Sequence, residues 1–399
     1  MNPSTLQANP KAQRLESLDA YRGFVMFLMM AEVLRTGAVA DALGNSAFWR
    51  FLDDQQSHVQ WIGCSLHDMI QPSFSFIVGV ALPFSMAART GQGESEWQKT
   101  LHAFWRSLLL ILLGVFLRSL GSGQTNWTFE DTLSQIGMGY GFLFLLGKRS
   151  FRAQWIAFVV LVLGYWAAFA LFPLPGADFD WSKVNVTPEW ESWLPGFAGH
   201  WNKNTNLAWA FDTWFLNLFP RTSPFLFNGG GYATLSFLPT LATMILGLQA
   251  GQILRSAWSH EKRLLCLLGA GIACIAAGAA VHVAGLCPIV KRIWTPSWVL
   301  FSGGMSFLFL AFFYDVIDYM GWKRWKFPLA VIGMNSIAAY CIAHLFDTFI
   351  YKNLTTHLGA KFFTLFGEPY APFVHGAMVL SAYYLILLWM YNRKLFLRI

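Results

Sequence analysis

Ten runs of mainly apolar residues, each near the length of a bilayer-crossing helix, recur along this 399-residue chain, at about 20–38, 66–88, 103–120, 131–147, 153–172, 233–254, 264–286, 296–315, 327–347 and 371–391. A hydrocarbon core of about 30 Å takes about 20 residues of helix. In lipid a helix satisfies every backbone polar group within its own segment. Only 12% of the residues are charged, where soluble domains carry roughly 25%. The pattern predicts an all-α, polytopic membrane helix bundle of about ten transmembrane helices, forming a single domain over residues 1–399.

An even number of spans puts both termini on one side. Placing them in the cytoplasm puts most of the 28 Lys and Arg residues there as well, Lys11, Arg14, Arg89, Arg106, Lys148, Arg149 and Arg398 among them, as the positive-inside tendency requires. This topology accounts for the net charge of +7 without a nucleic-acid partner. It predicts a multi-pass protein of the plasma (inner) membrane with one long extracytoplasmic loop at about 173–232. The five cysteines show no CxxC pair or regular spacing, so they define neither a disulfide framework nor a zinc site, and no metal is expected. The first apolar run has no small-residue cleavage site after it and reads as an uncleaved helix. Trp181, Trp190, Trp193, Trp201, Trp209 and Trp214 crowd the long loop. Their flat faces suit either packing on a sugar ring or anchoring at the membrane interface.

Ionisable groups within spans are costly and mark candidate sites. Asp19 and Arg22 stand three apart at the start of the first span, and Glu32 with Arg35 repeats that spacing near its outer end as a rim pair. The richest stretch runs from Ser57-His58 through Trp61, Gly63, His67 and Asp68 to Pro72. Pro72 should free the Asp68 carbonyl by clashing with it. An imidazole beside a carboxylate can be oriented as base or nucleophile; spacing leaves open whether His58 or His67 meets Asp68. Gln135, Asn335, Ser336, and His344 with Asp347 are further intramembrane polar groups, suited to helix-to-helix hydrogen bonding. Arg106 and Arg118 flank the third span. Gly229-Gly230-Gly231 reads as a hinge.

Taken together these residues resemble the heparan-α-glucosaminide N-acetyltransferase family and its bacterial relatives. The likeness rests on Arg14-Leu-Glu-Ser-Leu-Asp19-Ala-Tyr-Arg22-Gly23, on His58-x-x-Trp61-x-Gly63 with Asp68-x-x-x-Pro72-Ser-Phe74, and on Gln135-Ile-Gly. It continues in the Ala233–Gly251 segment, Gly333-Met-Asn335-Ser336-Ile337 and Arg393-Lys-Leu-Phe396. The family's lysosomal members and many relatives carry a Cys-containing, Gly-rich loop and an Asp-Pro-Glu-Gly before the sixth span. Here the Trp-rich loop and Asn228-Gly-Gly-Gly231 stand instead.

The resemblance implies a membrane enzyme that moves acetyl from cytoplasmic acetyl-CoA to an amino sugar, or a sugar hydroxyl, on the far side. His58 takes the place of the family's active-site histidine, as general base or transient acetyl acceptor, with Asp68 beside it. Arg22 and Arg106 are expected on the CoA phosphates, with Gln135, Asn335 and Ser336 as further cofactor contacts. Trp61, Trp201, Asp212, Trp214 and Asn228 are expected near the acceptor. A homodimer is an expectation of the resemblance alone. The rival expectation is a transporter or flippase of a sugar-containing lipid, which the lack of an internal repeat disfavours.

Overall fold

The computed structural model describes residues 15–90, 95–187 and 190–397. Lys11, Arg14 and Arg398 lie outside the described residues. Among these the chain is helical without a named strand, and eight helices are long and apolar enough to cross a membrane: Glu16–Ala42, His67–Arg89, Glu96–Arg118, Phe151–Ala170, Thr234–Arg255, His260–Val283, Pro296–Tyr319 and Glu368–Asn392. The other two expected spans are also helical, each in a modified form. Thr132–Gly147 is a 16-residue helix, about 24 Å long and short of a full crossing. Its start is fixed by the Asp131 side chain, which caps it by accepting from the Leu133 and Ser134 amides. The ninth run breaks into Phe327–Met334 and Ser336–Leu358, bent by 79°, with Asn335 at the break.

In chain order the helices are α1 (Glu16–Met30), α2 (Thr36–Ala42), α3 (Ala47–Gln56), α4 (Ile70–Thr90), α5 (Glu96–Arg118), α6 (Thr132–Gly147), α7 (Phe151–Ala170), α8 (Leu207–Phe215), α9 (Phe237–Arg255), α10 (His260–Val283), α11 (Pro296–Phe313), α12 (Phe327–Met334), α13 (Ser336–Leu358), α14 (Ala360–Phe363) and α15 (Ala371–Asn392). Helix α9 is the centre of the bundle: 78% of its apolar window is buried, against 17% for α10, which faces outward. The tightest crossing joins α4 to α9. A Cβ on Gly79 would strike the Met244 carbonyl, and one on Gly247 the Phe76 carbonyl; small residues let helices meet at this distance.

Pro72, expected to free the Asp68 carbonyl by a clash, stands in the first turn of α4, after a 3-10 turn over His67–Met69, where an amide has no partner within the helix to lose. The long loop folds onto the bundle rather than hanging from it. Trp61, Tyr165, Phe169, Trp201, Ala208, Cys287 and Val290 form one buried cluster under it.

Candidate active site

The site begins with the extended stretch after α3. Gly63 takes φ +116°, a value that suits glycine, and its amide donates to the Ile289 carbonyl at 3.0 Å. Ile62 pairs with Val290 in an isolated bridge. These contacts clamp the turn between α10 and α11 against His58, and the turn presents Lys291. Thr295 braces it by accepting from the Val290 amide at 3.0 Å. Arg292 ties in the long loop by donating to the Gly230 carbonyl at 2.7 Å and the Val59 carbonyl at 3.1 Å.

The result is a three-residue cluster. His58 Nδ1 lies 2.8 Å from Asp68 Oδ1, and Lys291 Nζ is 3.1 Å from both that oxygen and His58 Nδ1. The other carboxylate oxygen accepts the Val59 and Ser65 amides, each at 3.2 Å. Asp68 thus sits as an anion among donors at the N-terminal end of a helix, where the dipole favours negative charge. With the Nδ1 proton assigned to Asp68, His58 Nε2 is left with a lone pair. The side chains of Asp68 and Lys291 are 1% and 5% exposed and that of His58 is 38% exposed, so the imidazole is the member a substrate can reach. Burial pushes the Lys291 ammonium below the ordinary lysine range, and Asp68 offsets part of that shift. Burial, reinforced by Asp68, pushes the Cys64 thiol up to about 12, which disqualifies it as a thiolate nucleophile.

Spacing left two histidines as partners for Asp68; the structure brings it His58. His67 lies beside that ring, centroids 4.6 Å apart. Lys291 is not among the residues that the sequence pattern singles out. His58 and His67 face a chamber of about 230 Å³ that Glu32, Arg35, Asp53, Gln56 and Ser57 also line. Glu32 and Arg35, read from spacing as a rim pair, therefore stand beside His58, and Arg35 lies 4.7 Å over the Tyr351 ring.

A second, larger cavity of about 760 Å³ runs beside α4 from Phe74 to Arg89, about 22 Å by helical rise. Arg22, Arg89, His102 and Arg106 line it toward one end, and Leu110, Thr132, Leu133 and Phe74 toward the other, with Ser336 and Tyr340 on the broken helix. Arg22 pairs with Asp19 at 3.6 Å. Arg106 donates to the Tyr140 hydroxyl at 3.3 Å, while its buried Nε has no partner.

Other expected site residues lie away from both cavities. Gln135 is a brace: its amide nitrogen donates to the carbonyls of Phe129 at 2.8 Å and Thr234 at 3.2 Å. Asn335 pins the chain's end, donating to the Leu395 carbonyl at 3.0 Å and accepting the Leu397 amide at 3.2 Å. Trp61 donates to the Trp201 carbonyl at 3.0 Å, and both rings are buried. Asp212 accepts the Thr234 amide at 2.9 Å, and burial pushes its carboxyl up to about 7. Asn228 accepts the Gly230 and Tyr232 amides and so shapes the glycine turn. Trp214 is 60% exposed. Asp347 on α13 accepts from the Tyr383 hydroxyl on α15, a hydrogen bond between helices, whereas His344 Nδ1 bonds the Tyr340 carbonyl of its own helix. Among the described residues no group of three or more His, Cys, Asp or Glu is placed to hold a metal ion.

No family model matches the chain. It is 24% identical over 391 residues to the heparan-alpha-glucosaminide N-acetyltransferase of Homo sapiens, an alignment covering 88% of this chain and 55% of the relative. This chain is similar to those acetyltransferases. The Mus musculus protein of the same name is 24% identical over 370 residues, with 82% of this chain and 53% of the relative covered. The chain therefore spans about half the length of the curated relatives it matches.

Proposed function

We propose that the chain is a membrane acetyltransferase that takes acetyl from acetyl-CoA bound in the larger cavity and delivers it to an amino sugar at His58. The observation that carries this reading is a reachable imidazole whose Nδ1 is held by a buried, ion-paired Asp68. That arrangement fixes the ring and leaves Nε2 to accept a proton or an acetyl group. The relatives' name supports the transferred group and the sugar class. The guanidinium-lined end of the larger cavity suits the CoA phosphates, with Arg22, Arg89 and Arg106 as their partners, and its apolar end suits the pantetheine arm. By the positive-inside tendency that end faces the cytoplasm, and the membrane is the plasma (inner) membrane.

In direct transfer, the neutral amine nitrogen attacks the thioester carbonyl, the C–S bond breaks, and the amine's proton passes to His58 Nε2 and onward to the departing sulfur. In a two-step route Nε2 attacks first, forms an acetyl-imidazole and releases CoA, and the amine then takes the acetyl group. Lys291 holds Asp68, and through it the ring, in either case. The test is purified full-length protein given labelled acetyl-CoA and glucosamine. Wild type should release CoA thiol and form labelled product, and His58→Ala should lose about 10²-fold or more with unchanged melting. Substantial activity in that variant removes His58 from the chemistry.

A further inference from the structure

Two segments singled out in the sequence, Gly333-Met-Asn335-Ser336-Ile337 and Arg393-Lys-Leu-Phe396, have no part in the cluster around His58, yet the structure joins them. Asn335 is wholly buried, and both halves of its carboxamide go to one stretch of backbone. Its Nδ2 donates to the Leu395 carbonyl at 3.0 Å and its Oδ1 accepts the Leu397 amide at 3.2 Å, the pairing that a neighbouring strand would offer. The end of α15 aims the segment there. The Leu395 amide donates to the Met390 carbonyl at 2.9 Å and the Lys394 amide to the Tyr391 carbonyl at 3.0 Å, the two bonds of a Schellman motif, with Lys394 in the left-handed position at φ +56°. The chain is thereby turned back onto the larger cavity, which Phe396 and Leu397 line together with Met334 and Ser336 from the helix break. Gly333, two residues before Asn335, packs so closely on α1 that a Cβ would strike the Asp19 carbonyl, and Asp19 and Arg22 line the same cavity. The clasp therefore stands at the guanidinium-lined end.

We propose that Arg393–Leu397 is a wall of the cofactor site that grips the nucleotide end of acyl-CoA, with the Phe396 ring against the adenine and Asn335 as the positioning residue that holds the segment in place. Guanidiniums alone suit any phosphate or carboxylate; an aromatic ring beside them adds a face on which a base can stack. Tyr391 braces that ring edge-on, centroids 6.4 Å apart. The assignment rests on the placement of acetyl-CoA in the larger cavity, and adds to it the element that tells the whole cofactor from its pantetheine fragment. Asn335 acts on the cofactor through the backbone it pins, without touching it.

The experiment compares wild type, Phe396→Ala and Leu397→Pro as purified full-length proteins; the proline removes the amide that Asn335 Oδ1 accepts. Steady-state transfer to glucosamine is measured with acetyl-CoA and with S-acetylpantetheine, which lacks the nucleotide, and CoA binding is measured by calorimetry. Phe396→Ala should raise the acetyl-CoA KM and weaken CoA binding about tenfold, the scale of one stacked base, and Leu397→Pro at least threefold. The KM values for S-acetylpantetheine and glucosamine should stay within twofold, and Phe396→Tyr, which keeps the ring, should match wild type. An active wild type whose variants keep the acetyl-CoA KM and CoA binding, or raise the S-acetylpantetheine KM equally, overturns the nucleotide wall and leaves the transferase reading standing. A wild type that transfers nothing, yet binds CoA in a way both variants weaken, supports the wall and overturns the transferase reading. A wild type that binds no CoA overturns both.

Discussion

Replacing Lys291 with Met should destabilise the protein by about 3–5 kcal/mol, because it leaves Asp68 as a buried carboxylate without its cation. The geometry gives the same scale independently. Unit charges at the 3.1 Å separation of Lys291 Nζ and Asp68 Oδ1 attract by about 5 kcal/mol at an effective dielectric constant near 20. The two backbone amides and His58 stay in place, so the carboxylate is still hydrogen-bonded and loses only its neutralising charge. Asp68→Asn should cost a similar amount by leaving a buried ammonium. The double variant, Lys291→Met with Asp68→Asn, buries neither charge and should be at least about 2 kcal/mol more stable than the sum of the single losses predicts. Denaturant melting of detergent-purified protein, followed by tryptophan fluorescence, reads all four corners of the cycle. Transferase activity should be low in all three variants, since none holds the imidazole between an anion and a cation. Additive losses, or a Lys291→Met protein as stable as wild type, would refute the claim that Lys291 neutralises Asp68.

Arg106→Ala should raise the acetyl-CoA KM about tenfold without changing the glucosamine KM, as steady-state kinetics with each substrate varied would show; equal shifts in both would detach Arg106 from the cofactor. Asp212 gives a pH dependence of the opposite sign to an ordinary ion-paired carboxylate. Its folded-state value of about 7 lies above the usual 3.8, so the native state holds a proton the unfolded chain releases. Stability should therefore fall as pH rises from about 4 to about 7, by at most about 1.4 kcal/mol per unit, and melting curves of Asp212→Asn should be flatter across that window. Trp201→Ala should cost about 3–5 kcal/mol, because its ring is wholly buried, whereas Trp214→Ala on the exposed face of α8 should stay within about 0.5 kcal/mol. Equal melting temperatures for the two would contradict the folded loop.

The bundle was legible because lipid imposes a length and an apolar character on each crossing, and all ten runs returned as helix. Where the crossings deviate, the cause is one polar group at a terminus or break, as with Asp131 capping α6 and Asn335 between α12 and α13. A polar residue in an apolar run announces that it needs a partner without saying whether the partner is a ligand or the chain. Gln135 and Asn335 took backbone carbonyls and amides; Ser336 and Arg106 line the larger cavity. His58 and Asp68 are ten residues apart, so local chemistry could suggest the pair. Lys291 is 223 residues from Asp68. It reaches the site because a turn pairs with Ile62 and Gly63, and nothing in the pattern around Cys287 and Pro288 distinguishes a buried ammonium from a loop cation.

The two cavities share no lining residue, yet the same two elements wall both. Along the first span, Glu16–Ala42, the larger cavity reaches Met26 and the chamber starts at Ala31, five residues or about 7 Å on. In the span His67–Arg89 the corresponding residues are Phe74 and His67, about 10 Å apart by helical rise. The partition between the two cavities is therefore one to two helical turns thick, well short of the full hydrocarbon core. Met30 and Met69, both buried, stand in these intervals. Unbranched thioethers repack at little cost, which suits a partition that must admit an acyl group and still keep the two compartments apart. The proposed chemistry thus requires only a local rearrangement of side chains on α1 and at the head of α4, while the glycine-packed crossing of α4 and α9 keeps the larger cavity's wall fixed.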